Sequence, residues 1–107
     1  MLYNRALVNA FLYTEAIRVA QGEFGTKSLT GEQVQWGMEH LNVTQAVIDE
    51  AGMTGLLSPV KITCADHEGG GSALVQQWDG SKWQAITDFI SPNRDALRPA
   101  YEGSAAQ

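Results

Sequence analysis

Three consecutive glycines, Gly69-Gly70-Gly71, constrain this chain more than any other feature. Lacking Cβ atoms, they reach backbone regions closed to other residues, and three in a row favour neither helix nor strand. Apolar residues recur at helical spacing before the run, and β-branched and alternating patterns follow from about residue 59. The stretch from Asp66 to Ser72 is therefore expected to be a flexible connector. It does not read as a phosphate cradle, because no Lys-Ser/Thr pair follows and no helix opens there.

Upstream, Leu7, Val8, Phe11, Leu12, Ala16, Val19 and Ala20 recur at steps of three and four, which predicts a helix over 4–21. Asn4 is the expected N-cap, Gly22 and Gly25 are natural stops, and Arg5, Asn9, Glu15 and Arg18 form the polar face. Thr30 stands three residues before Gln33, a capping-box spacing flanked by Leu29 and Val34, so a second helix is expected from Gly31 to about His40. Thr44 would cap a short third helix through Val47, Ile48 and Ala51, ending at Gly52, with Val43 and Ile48 repeating the staple spacing.

Beyond Gly52 the pattern changes. Pro59 to Ala65 reads as a strand, rich in β-branched Val60, Ile62 and Thr63. Ala73–Trp78 and Lys82–Ile90 read as two strands joined at Asp79-Gly80, with Trp78 and Trp83 paired across the hairpin. Pro92 ends the hairpin, and residues 93–101 are expected to form a terminal helix or extended tail.

The chain has 107 residues, 44% of them hydrophobic and 18% charged, which suits a folded domain burying roughly two-thirds of its unfolded surface. Seven basic against 12 acidic residues give a net charge of −5, so the basic footprint of a nucleic-acid binder is missing. No apolar run approaches bilayer length, and Met1-Leu2 opens no secretory signal pattern. A single cysteine excludes an internal disulfide and a Cys-based structural zinc site. One hairpin and one strand make a thin sheet for three helices, so the set of elements looks incomplete.

Chemistry is sparsely signalled. Cys64, Asp66, His67 and Glu68 form the densest polar cluster, yet neighbours on a strand or loop rarely converge on one ion, and a hydrogen-bonded turn is the better expectation. Cys64 is expected to be a small buried strand residue and His40 a helix C-terminal residue near the dipole. No nucleophile elbow or base-paired nucleophile is visible, so no enzyme, cofactor or metal is expected. Tyr3, Asn4 and Arg5 at the mouth of the first helix suit either a frayed cap or recognition of a small polar ligand.

Tyr3-Asn4-Arg5 leading into Asn9-Ala10-Phe11 and Glu15-Ala16-Ile17-Arg18 resembles a late helix of type I periplasmic solute-binding proteins, the receptors of ABC importers in the branched-chain amino acid group. Leu29 to Val34, Pro59-Val60-Lys61, Cys64 to Gly70, Gln77 to Gly80 and the tail from Leu97-Arg98-Pro99 to Ala106 follow in matching order. The resemblance implies an α/β fold of which this chain would be the C-terminal fragment, read in isolation as α+β with three helices, a hairpin and a short strand. Residues 1–65 would belong to lobe I, 66–72 to the interlobe crossover, 73–90 to the lobe II hairpin and 91–107 to the tail. Tyr3 and Asn4 are the implied ligand-binding residues, and Asp66, His67, Gly69 and Gly70 the implied hinge. The implied function is part of an extracytoplasmic receptor, periplasmic or lipid-anchored. It would pass a small polar or aromatic solute to ABC permease subunits. The implied partners are that solute, the permease and the remainder of the receptor chain, with self-association or strand exchange of a free fragment. The competing expectation is an autonomous cytosolic α+β regulatory or protein-interaction module.

Overall fold

The computed structural model describes residues 2–97 and 99. Helix α1 spans Leu2–Phe24, α2 Gly31–Glu39 and α3 Gln45–Glu50. Strand β1 (Asn42–Val43) pairs antiparallel with β2 (Val60–Lys61), and β3 (Gln76–Trp78) pairs antiparallel with β4 (Trp83–Ala85). The chain divides into two compact units, Met1–Gly70 and Gly71–Gln107, a boundary that falls inside the glycine run.

In the first unit, α1 begins earlier and ends later than its periodicity suggests. Asn4 lies inside the helix and not at its cap, because nothing in Leu2-Tyr3 interrupts helical backbone upstream of it. Gly22 is carried within the helix, and α1 closes where the Gly25 N–H donates to the Gln21 carbonyl at 2.9 Å. At α2 the capping box is complete: the Gln33 N–H donates to Thr30 Oγ1 at 3.3 Å, and the Thr30 N–H donates to Gln33 Oε1 at 2.9 Å. Thr30→Ala removes the side-chain half of that exchange and is expected to cost about 1 kcal/mol. A thermal melt of the variant should show a midpoint lower by roughly 4–8 °C.

Helix α3 has six residues, too few to stand alone, and it docks through Ile48. Ile48 joins Ala16, Leu41, Val43 and Leu57 in the buried core, with Val8, Phe11, Leu12 and Met38 among the residues packed around it. Val43 and Ile48, the staple pair of the sequence, thus meet in one cluster. The strand expected over 59–65 is shorter than its composition suggests. After Lys61 the chain turns, with Thr63 and Asp66 exchanging two backbone hydrogen bonds of 3.0 Å across Cys64 and Ala65. Cys64 is accordingly exposed in a turn, not buried in a strand.

The second unit is a hairpin. Its ladder is confined to three residues on each side, extended by a bridge between Ala73 and Ile90 and by an Ile86 N–H donating to the Val75 carbonyl. Trp78 pairs with Trp83, their rings edge to face with centroids 5.7 Å apart. The connection runs over four residues, 79–82, headed by the Asp79 carboxylate. Its Oδ1 accepts from the backbone N–H groups of Ser81 (2.8 Å) and Lys82 (2.9 Å), and Oδ2 accepts from the Gln84 amide (2.9 Å). Among the described residues from 71 onward none is buried. Residues 94–97 are helical, while most of the expected tail, 98 and 100–107, lies outside the described residues.

The donors around Asp79 hold its carboxyl well below the usual carboxylate range, the Lys82 N–H first, then Ser81 and Gln84. A carboxyl depressed in the folded state stabilises above its unfolded value and loses that contribution as pH falls through the folded one. The Trp78–Trp83 near-ultraviolet circular dichroism signal should therefore persist below about pH 4, where an ordinary aspartate protonates, and fade only in stronger acid. Asp79→Asn should weaken the signal at neutral pH and remove this acid dependence.

Candidate functional site

The first unit carries an open cleft of about 380 Å³ lined by Glu15, Arg18, Val47, Glu50 and Ala51. It exists because α1 presents Glu15 and Arg18 one turn apart, while Ile48 and the Thr44 cap fix α3 beside them. Arg18 donates to Glu15 through Nε (3.0 Å) and Nη2 (2.6 Å), a two-pronged ion pair. The Glu15 hydrogen bond, then its charge, and last the charge of Glu50 raise the Arg18 guanidinium above its ordinary value. The Arg18 side chain is 64% exposed, so the pair is worth little in stability, about 0–1 kcal/mol. Glu15 is only 13% exposed: a residue read as part of the outer polar face is largely covered.

In the last turn of α3, Asp49 Oδ1 accepts from Thr54 Oγ1 at 2.7 Å and from the Gln45 amide at 2.8 Å. Those two bonds, Thr54 first, lower its carboxyl and tie the following loop to the helix. The wall of the cleft is thereby fixed by local chemistry, and what it offers is one guanidinium between two carboxylates. That is a charge-compensated surface suited to polar contact and not to proton transfer or nucleophilic attack.

Tyr3 and Asn4 sit in the first turn of α1, with Tyr3 74% exposed and Asn4 also exposed, at the end of the helix remote from Arg18. The polar cluster before the glycines is a turn. The Asp66 side chain accepts from the Glu68 N–H at 3.1 Å, and His67 Nε2 stands 4.0 Å from Glu39 Oε1. Gly69 follows with φ 69°, and a Cβ there would lie 2.9 Å from Val60 Cγ1, so both conformation and space call for glycine. Gly70 continues at φ 114°. The structure thus places Asp66, His67, Gly69 and Gly70 in the turn that follows β2, and Tyr3 and Asn4 in the exposed first turn of α1. His40 caps α2, stacked on Trp36 with centroids 3.9 Å apart, its Nδ1 2.7 Å from the Trp36 carbonyl. Among the described residues no group of three or more His, Cys, Asp and Glu is placed to hold a metal ion.

The cleft residues were only partly visible in sequence. Glu15 and Arg18 carry an i,i+3 ion-pair signal, but Glu50 reaches them only through the docking of α3.

No protein-family model matches the chain, and no curated protein matches it. A solved structure, described as an ABC transporter permease from the Pseudomonas fluorescens group, matches with a TM-score of 0.88 and 50% sequence identity. The match covers 94% of this chain and 24% of that one, so the chain spans about a quarter of the length of the protein it resembles. This corrects the resemblance to periplasmic solute-binding proteins: the half-identical neighbour is described as a permease, and a receptor fragment that captures solute for a permease is not supported. The extracytoplasmic placement rested on the same resemblance. Nor is an autonomous cytosolic module supported, since nearly the whole chain aligns within one about four times as long. The chain is therefore similar, over almost all of its length, to one quarter of a protein described as an ABC transporter permease.

Proposed function

We propose that this chain serves solute transport as part of the permease component of an ABC transporter, and that its contribution is structural and not catalytic. The observation that carries the proposal is the 50% identity over 94% of the chain with a neighbour described as such a permease. None of the described helices is long and apolar enough to cross a membrane, so the role assigned to these residues is packing and contact within the assembly rather than helical passage through the bilayer. The partners that follow from the proposal are other parts of an ABC transporter. The Glu15–Arg18–Glu50 cleft offers them a polar contact, and the second unit offers exposed Trp78 and Trp83. The test is fractionation of the polypeptide encoded by the whole reading frame in its own host. Retention in the membrane fraction after an alkaline carbonate wash is expected, and release into the wash or into osmotic-shock fluid overturns the proposal.

A further inference from the structure

Helix α1 is apolar on two sides. Val8, Leu12, Ala16 and Ala20 face the core of the first unit. Tyr3, Leu7, Ala10, Tyr13 and Ile17 follow one another at steps of four, three, three and four, which places them along a second stripe. That stripe is bare: Tyr3 is 74% exposed, Leu7 38%, Tyr13 60% and Ile17 40%. An amphipathic surface helix keeps polar residues opposite its core face, and a helix apolar on both sides is ordinarily covered on both. Among the described residues of the first unit none covers that stripe. At 1.5 Å per residue α1 is about 35 Å long, whereas the nine-residue α2 packed against it reaches only about 14 Å.

We propose that the Tyr3–Leu7–Tyr13–Ile17 stripe is the docking face for a further segment of the same polypeptide, seated along α1 as the second apolar layer. The length of the matched protein argues for that occupant, because this chain accounts for 24% of it and some three times as much chain lies outside the match. The small Ala10 at the middle of the stripe lets another backbone layer approach closely, and the two tyrosine hydroxyls suit the margins of a buried layer. A lipid surface fits less well, since a chain of net charge −5 is repelled by anionic headgroups. The proposal rests on the length of the matched chain and not on transport, so it and the permease assignment fail separately.

Cysteine alkylation reads the docking directly. Tyr13→Cys, with Ile17→Cys as an independent second probe and Lys27→Cys as an exposed reference, is placed in a background with Cys64→Ser and any other cysteines removed. In the isolated 107-residue chain, position 13 should react within about threefold of position 27. In the polypeptide encoded by the whole reading frame, purified in detergent, positions 13 and 17 should react at least 100-fold more slowly than position 27 until denaturant is added. Four results overturn the proposal: equal reactivity in the long polypeptide, protection of the isolated chain that grows with its concentration (a second copy), protection that appears only with phospholipid vesicles, or a reading frame that adds no further chain.

Discussion

Gly37→Ala is expected to pry α1 from α2. A Cβ at position 37 would overlap the Ala16 carbonyl oxygen and lie 3.0 Å from Ala20 Cβ. The overlapped atom is backbone in the middle of a helix, so no rotamer change relieves it, and the two helices must separate. Separation loosens Phe11, Leu12 and Met38 around the core at the same time. Overpacking typically costs 1–3 kcal/mol and sometimes more, while alanine returns about 1 kcal/mol in helix propensity over glycine. A rigid backbone obstacle puts the clash at the upper end, so the net loss should be about 2 kcal/mol, with a melting midpoint lower by roughly 10 °C. Gly31→Ala in the same helix is the control. Its Cβ meets nothing within 4 Å, and stability should hold or rise. If Gly37→Ala melted with the parent while Gly31→Ala did not, the close approach of α1 and α2 would be wrong.

Ile48→Ala should do at least as much damage by the opposite route. Ile48 is fully buried and is the one buried residue of α3. Removing three carbons leaves a cavity among Leu41, Val43 and Leu57, and such truncations cost about 2–5 kcal/mol. Because α3 is too short to persist undocked, the loss should spread locally. Amide exchange over 45–50 should quicken beyond the global change, and the cleft wall at Val47 and Glu50 should go with it. Ile17→Ala, at a 40% exposed position on the outer stripe, should change the stability of the isolated chain by less than about 0.5 kcal/mol. A urea titration of the three proteins distinguishes the cases, and equal effects at 48 and 17 would contradict the described core.

What the sequence made legible was local. Thr30 and Gln33 announce their helix because a capping box is settled within four residues. Trp78 and Trp83 find each other because Asp79 organises the turn between them. Where geometry depends on distant partners, the local pattern misleads. Strand β1 is only Asn42–Val43, wedged between two helices, and exists because Val60–Lys61 returns beside it. Cys64 was expected in a buried strand because β-branched neighbours suggested one, but Thr63 and Asp66 close a turn around it. Its charge suggests the outer face for Glu15, whereas its side chain is only 13% exposed, paired with Arg18 beside the cleft that α3 also lines. Short motifs in matching order pointed to a receptor family for a related reason: they report local backbone chemistry, which unlike proteins share, whereas function is carried by whole assemblies. The comparison over 94% of the chain outweighs them.

On the proposed function, these residues work inside an ABC transporter as part of its permease component. The most direct measurement is purification of the affinity-tagged polypeptide encoded by the whole reading frame, from detergent-solubilised membranes of its own host, followed by mass spectrometry and stoichiometry of the bound proteins. An ATP-binding cassette subunit is expected in a fixed ratio, retained through gel filtration whether or not solute is added. A polypeptide that elutes alone, with no such subunit in any fraction, would contradict it.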